Sequence, residues 1–508
     1  MAASANLRLR RTEAQRHALA RVEREIRAHD QNGQRKYLRD FSQAFRSYES
    51  VLNKEQLDAQ IHDADLLLVG DYHALPAAQR FAARLLEERA HPGDRPVVLG
   101  LETIFSRDQH ILDEWWRREI DPAELRERVR FDLDWGYDWA PFYELLLTAR
   151  EHAHGIYGLD CMPREDLRKI GARDRHAAHK IAEIRAQHPN AVIVVLFGES
   201  HLAPGHLPRA LREQLPQERI LTVLQNVDGL YWKAAGEEGE RVEAARVSDH
   251  VVCVFNSTPL EKYENYRLHL SRWGCEAGEG PDPGPTIYNL IDTLLRFLDI
   301  DRYSSHNGSQ PKFLVDLMPE VYGRAAEGRL ARMLLRHGVT QERLAVLFET
   351  VEERGSVYLP AVNAFYLREF QMRFAAEEAA RFLHHACRGL PERSGAKIER
   401  NDLFYTRVVE NALAYFGSRV LDPGREPVGD ARRHVGQEYL EAGAQLTGYM
   451  LGSRLYDDYI AGRASRSALR RLFLAKTDAP GAARKLYQEL AARAQPVRAK
   501  ARAAGAGR

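Results

Sequence analysis

Two heptapeptides hold the residues best suited to chemistry, GDYHALP at 70–76 and GESHLAP at 198–204. Each places an acidic residue two positions before a histidine, and each directly follows an apolar run. In extended backbone, residues two apart point to the same side. Asp71 is therefore expected to share a side with His73, and Glu199 with His201. An imidazole beside a carboxylate has two chemical uses. It can ligate a divalent metal such as manganese, zinc or iron, with Asp71, His73, Glu102 and His201 as the expected ligand set. It equally serves metal-free acid/base chemistry, with His73 or His201 as base and Glu102 or Glu199 assisting. A purely local reading competes with both, in which each acid and histidine caps the next helix and Pro76 and Pro204 lie near the helix starts. The repetition of the pattern, together with Glu102, favours a functional cavity.

The elements that must position these residues read as follows. Short apolar runs occur at Leu66–Val69, Val97–Leu101, Ile156–Leu159, Val192–Phe197, Ile220–Leu224 and Val251–Phe255. Several are apolar at every position, the pattern of strands buried on both faces of a parallel sheet. Helical segments fall between them, near 77–90, 106–118, 138–153, 173–187 and 205–215. This alternation predicts an α/β fold, a mostly parallel sheet flanked by helices. Ligand sites in such sheets form outside the carboxyl ends of the strands, where both heptapeptides fall. Glu102, Asp160 and Asn256 each end an apolar run at the same rim. A carboxylate buried there without a partner is costly, so the rim is expected to be a cavity that satisfies it.

Residues 1–60 read as an Arg-rich helical lead-in, and 61–276 as the α/β domain. The stretch AGEGPDPGP at 277–285 cannot sustain a helix or a central strand and reads as a linker. Beyond it, 286–493 reads as an all-α domain, and 494–508 as a basic, disordered tail. Within the helical half, Glu377, Glu378, Arg381, His384 and His385 lie on one expected helix. Metal binding there is weaker than the alternative of a solvated or ion-paired face.

The α/β region resembles the ChaN family of the Tiki / haem-binding uptake superfamily, which also includes TraB proteins and erythromycin esterases. That superfamily is marked by two G-x-x-H elements, matched by Gly70–His73 and Gly198–His201, and by a Glu after the second strand, matched by Glu102. The segment ARDRHAAHKIAEI at 172–184 is similar to the ChaN helix that opens with Arg-Asp, so the resemblance implies Arg173 and Asp174 as site residues. GHLPRAL at 205–211 fits the helix after the second loop. The resemblance spans about residues 64–270. Asp71 stands where Glu is usual, Ala74 where Asp is common, and no lipoprotein-type cysteine stands near the N-terminus.

The resemblance implies haem binding linked to iron uptake, as in ChaN-like proteins, or metal-dependent proteolysis, as in Tiki relatives. It equally implies lactone hydrolysis with a site His and Glu, as in erythromycin esterases. The leading expectation is a haem- or metal-binding protein of iron or haem handling with a His/Glu site at the sheet rim. The alternatives are a metal-dependent hydrolase of ester, lactone or peptide bonds, and a non-catalytic binding module. An aromatic cluster follows Glu102: Trp115, Trp116, Phe131, Trp135, Tyr137, Trp139, Phe142 and Tyr143. These are expected on helices over the site mouth. Such walls suit a flat ligand like haem, although aromatics also pack ordinary cores. Haem needs an axial side chain, for which Tyr72 and His73 are the candidates.

Composition narrows the partners. Over 508 residues the formal net charge is +1, which offers no global attraction to nucleic acid. No apolar run approaches the roughly 20 residues of a membrane span. Cys161, Cys253, Cys275 and Cys387 show no C-x-x-C spacing and read as buried side chains of a cytoplasmic protein. Haem or another small molecule is the expected ligand, with a second copy or a protein partner docking through the helical half.

Overall fold

Leu66, Leu67, Leu68 and Val69 are all fully buried, and their alternation divides them between two cores. Leu67 and Val69 pack with Phe81, Leu85, Leu86, Leu145 and Leu146 on one face of a sheet. Leu66 and Leu68 pack with Ala177, Ile181, Ile184 and Leu211 on the other. Helices thus cover both faces, as the uninterrupted apolar runs require. Each Leu or Val so buried contributes about 1.5–3 kcal/mol.

The computed structural model describes residues 2–29, 36–90, 93–162, 170–237, 242–272, 280–301, 318–388, 400–426, 439–477 and 479–494. By contacts the chain divides into two units, Val22–Leu270, and Met1–Arg21 together with Ser271–Arg508.

In the first unit the strands are β1 (Ser50–Leu52), β2 (Leu66–Asp71), β3 (Val97–Phe105), β4 (Ile156–Asp160), β5 (Val192–Gly198), β6 (Ile220–Gln225), β7 (Ala244–Ser248) and β8 (Val251–Val254). They form one sheet in the order β1-β7-β8-β6-β2-β5-β3-β4. The six strands read from the sequence pair in parallel. The two others, β1 and β7, are antiparallel additions at one edge. Their sequences, SVL and AARVS, carry too few apolar residues to announce a buried strand, and β1 falls within the segment read as a helical lead-in. The helices Pro76–Arg89, Gln109–Trp116, Trp139–His152, Ile170–Gln187 and Leu207–Gln214 stand close to their expected places.

The second unit is mainly helical, as expected. It also contains a small sheet that the periodicity did not show, made of β9 (Glu320–Gly323), β10 (Ser356–Leu359) and β11 (Ala364–Leu367) in the order β10-β11-β9. Strands of four residues are too short to display an alternation distinct from that of a helix turn.

Glu377 and Glu378 are ion-paired, but inside the unit rather than in solvent. Glu377 accepts from Arg354 at 2.5 Å and from the Tyr449 hydroxyl at 2.6 Å, and it pairs with Arg425 at 2.7 Å. Among the described residues no group of His, Cys, Asp or Glu forms a metal site here or elsewhere. Among them, too, no helix is long and apolar enough to cross a membrane. Residues 277–279 of the expected linker, residues 495–508 of the expected tail, and Cys275 lie outside the described residues.

Candidate functional site at the carboxyl edge of the sheet

Because β2, β5 and β3 are neighbours, the segments carrying His73, His201 and Glu102 meet at one edge. The register of β3 against β4 shifts between Leu101 and Phe105, an irregularity of the kind that re-aims side chains beside functional sites. Gly158 on β4 accommodates it. A Cβ there would lie 2.7 Å from the Phe105 carbonyl oxygen and 2.9 Å from that of Ile104.

Glu102 is buried at the centre of the cluster. Its Oε1 accepts from Arg173 Nη2 at 2.6 Å, and its Oε2 accepts from the backbone N–H of Gly198 at 2.5 Å. Arg173 also donates twice to Asp160, Nε to Oδ1 and Nη2 to Oδ2, both at 2.8 Å. Such a bidentate fork fixes orientation as well as charge. Burial works against the charge of Arg173, but Glu102 and Asp160 outweigh it and hold the guanidinium pKa above its ordinary value.

The two histidines approach Glu102 from different strands. His73 Nδ1 donates to Asp71 Oδ2 at 2.8 Å, while Asp71 Oδ1 accepts from Gln79 at 2.5 Å. His73 Nε2 then stands 4.0 Å from Glu102 Oε2. His201 Nδ1 donates to Asp174 Oδ1 at 2.6 Å, and its Nε2 stands 3.6 Å from Glu102 Oε1. Asp174 Oδ2 accepts from His206 at 3.0 Å. Burial pushes the Asp174 carboxyl up, but its bonds to His201 and His206 outweigh this and hold it below its ordinary value.

The structure thus brings together Asp71, His73, Glu102, Arg173, Asp174 and His201. Asp71 and His73 share a side, as extended backbone predicts. Glu199 and His201 do not. Residues Glu199–Leu202 form a 3-10 turn rather than extended chain, so side chains two apart diverge. Glu199 instead accepts from Lys262 Nζ at 3.0 and 3.2 Å. Burial opposes the Lys262 charge, but Glu199 and Asp228 outweigh it and hold its pKa above the ordinary value. Lys262 was missed from the sequence, where it is an unremarkable residue of the helix Pro259–Arg272. Asn256 lies further along the edge, where it bonds Gln225 and Asn226.

Of the eight aromatics following Glu102, only Trp135 and Tyr137 are in ring contact with a site residue. Trp115, Phe131 and Phe142 are buried in the core, with Trp116, Trp139 and Tyr143 packed against it. Phe131–Trp135 is a single π-helical turn between Arg130 and Gly136, both in left-handed backbone. It sets Trp135 4.3 Å and Tyr137 5.2 Å from the His73 ring. Tyr137 stacks on His269 at 4.1 Å, His269 lies 6.2 Å from Tyr266, and Tyr266 lies 6.0 Å from Tyr72. A continuous aromatic wall results, to which the helix Pro259–Arg272, marked by no motif, contributes Tyr266 and His269.

The four residues of the expected metal set meet at this edge, where their carboxylates have other partners. Asp71 is bonded to His73 and Gln79, and Glu102 to Arg173 and Gly198, so the carboxylates already serve other donors. Of the two expected haem ligands, Tyr72 lies beneath Lys262, its ring centroid 4.4 Å from Nζ. Burial, then the neighbouring Tyr263 and Glu199, push its phenol well above its ordinary value. His73 stands at the wall itself.

Gly198 has no room for a side chain. A Cβ there would lie 2.9 Å from Glu102 Oε2 and 3.3 Å from the His73 ring. Gly198→Ala is expected to cost about 1–3 kcal/mol through overpacking, read as a lowered thermal unfolding midpoint. An unchanged midpoint would mean that Glu102 moves aside freely.

With this geometry, the chain carries a ChaN-like domain: residues 57–174 match the family described as haem-binding uptake, Tiki superfamily, ChaN. The match includes His73, Glu102, Arg173 and Asp174, and ends before His201. Two solved structures are similar over part of the chain. One, titled for cofacial heme binding to ChaN of Campylobacter jejuni, is 15% identical, covering 40% of this chain and 91% of that chain, with a TM-score of 0.28. The other, the type III effector HopBA1, is 14% identical, covering 41% of this chain and 96% of that chain, with a TM-score of 0.29. At those scores the assignment rests on the family match. No curated protein matches the chain.

Proposed function

We propose that the rim site hydrolyses a carboxylic ester or lactone by general acid/base catalysis. The observation that carries this reading is the paired arrangement of the histidines. Each has its Nδ1 held by an aspartate, and each presents Nε2 to a different oxygen of Glu102. An Nδ1–carboxylate bond sets the tautomer and leaves Nε2 as the proton-transferring atom. One histidine takes a proton from the attacking water, and the other, protonated, delivers one to the leaving oxygen. His73, 22% exposed, stands nearer solvent than His201 at 5%.

The test is a panel of aryl and alkyl esters and lactones, assayed with and without EDTA. Turnover is expected, to persist in EDTA, and to be lost in the His73→Ala/His201→Ala double variant. Turnover that survives loss of both histidines overturns the reading. A second reading, haem binding at the aromatic wall with His73 as axial ligand, is supported by the family's description and by the ring wall itself. A hemin titration distinguishes it. A shifted Soret band that disappears in His73→Ala, without ester turnover, would put haem binding in place of hydrolysis.

A further inference from the structure

Outside the Glu102 cluster, one more pair of side chains has the geometry of a nucleophile and its base. Ser106 Oγ lies 2.8 Å from His176 Nε2. Ser106 directly follows β3, four residues beyond Glu102, and His176 stands one helical turn beyond Arg173 on the helix Ile170–Gln187. Phe105 of β3 is paired with Asp160 of β4, so the Ser–His pair belongs to the β3–β4 end of the same rim. Both residues are partly exposed. A serine hydroxyl is a weak nucleophile until a neighbouring imidazole can take its proton.

We propose that Ser106 is an activated nucleophile, with His176 as its general base, that captures acyl groups from carboxylic esters. Ser106 Oγ attacks the carbonyl carbon while its proton passes to His176 Nε2. The bond to the leaving alkoxide breaks with its electron pair, and the alkoxide takes the proton from His176. Water, deprotonated in turn by His176, attacks the acyl-serine, releasing the acid and restoring Ser106. The neutral imidazole that this requires is favoured by the environment of His176. Burial, with Lys180 next, lowers its pKa, against a smaller opposing pull from Asp160. The reaction uses none of His73, His201 or Glu102, so ester turnover through Ser106 would survive their loss, and the ester assays of the paired-histidine site are read in a Ser106→Ala background.

The test is active-site labelling of the full chain with an alkyl fluorophosphonate, read by intact mass and peptide mapping. One phosphonyl group is expected on Ser106, with fluoride released. Labelling is expected to be abolished in Ser106→Ala, slowed at least about tenfold in His176→Ala, and unchanged in His201→Ala. Because His176 is only partly buried, circular dichroism should show its variant folded. No adduct on the folded protein would overturn the assignment, as would equal labelling of Ser106 in wild type and His176→Ala. Loss of labelling in His201→Ala would place Ser106 inside the paired-histidine mechanism instead, and overturn the separate site.

Discussion

His201→Ala is expected to lower kcat/KM for ester hydrolysis by about 10²–10⁴-fold, the usual contribution of a positioned acid or base. His201 is fixed on both sides, by Asp174 at Nδ1 and by Glu102 facing Nε2. Asp174→Asn should therefore act nearly as strongly. An asparagine can turn its amide donor to Nδ1, which stabilises the wrong tautomer and returns the proton to Nε2. The two losses should not add, because the residues act as one unit. Activity of Asp174→Asn within about twofold of wild type would show that the aspartate does not orient the base.

Asp174→Asn also carries a stability signature. The Asp174 bond raises the pKa of His206 above its ordinary value, against the effect of burial. A histidine whose folded pKa is raised contributes fully below its unfolded value, near about 6.5. That contribution fades as pH rises through the raised value. The stability difference between wild type and Asp174→Asn should therefore narrow on the alkaline side of about pH 6.5. Equal differences at pH 5.5 and pH 9, each ~1 unit or more from that value, would show that His206 does not share Asp174 in solution.

Arg173→Met is expected to have the largest effect on folding, about 3–5 kcal/mol. The methionine keeps much of the side-chain length but leaves Glu102 and Asp160 buried without their shared cation. Asp160 is fully buried and Glu102 nearly so, so water cannot replace the guanidinium without opening the rim. The loss should appear as a lowered transition in thermal unfolding of the full chain. An unchanged transition would mean that Arg173 serves orientation alone.

Much of the site was legible because its residues lie where strands end. His73, Glu102 and His201 could be read from sequence position alone, since each comes directly or within a few residues after an apolar run, Leu66–Val69, Val97–Leu101 or Val192–Phe197, that must cross the sheet. Arg173 and Asp174 came through the family resemblance, and the fold gives the physical reason for them. Successive residues on one helix reach different partners, Arg173 joining Glu102 to Asp160 and Asp174 joining His201 to His206. Glu199 was misplaced because a 3-10 turn looks no different from extended chain over four residues of mixed type. Lys262, Tyr266 and His269 were missed because nothing local distinguishes a helix face that meets a site from one that meets a core.

By itself, then, the sequence determined which strands are central, that the fold alternates strand and helix, and that two histidines and a glutamate reach one edge. Those properties follow from local apolar pattern and chain order. Only the tertiary structure decided the chemistry these residues present. The strand order sets β5 between β2 and β3, and the Glu102 side chain reaches across to Gly198 of β5, so that its two oxygens face the two imidazoles. The hydrogen-bond partners of each carboxylate are set by the same packing. Such choices depend on distances between residues far apart in the chain, 96 positions in the Gly198–Glu102 bond, and no pattern within a single segment encodes them.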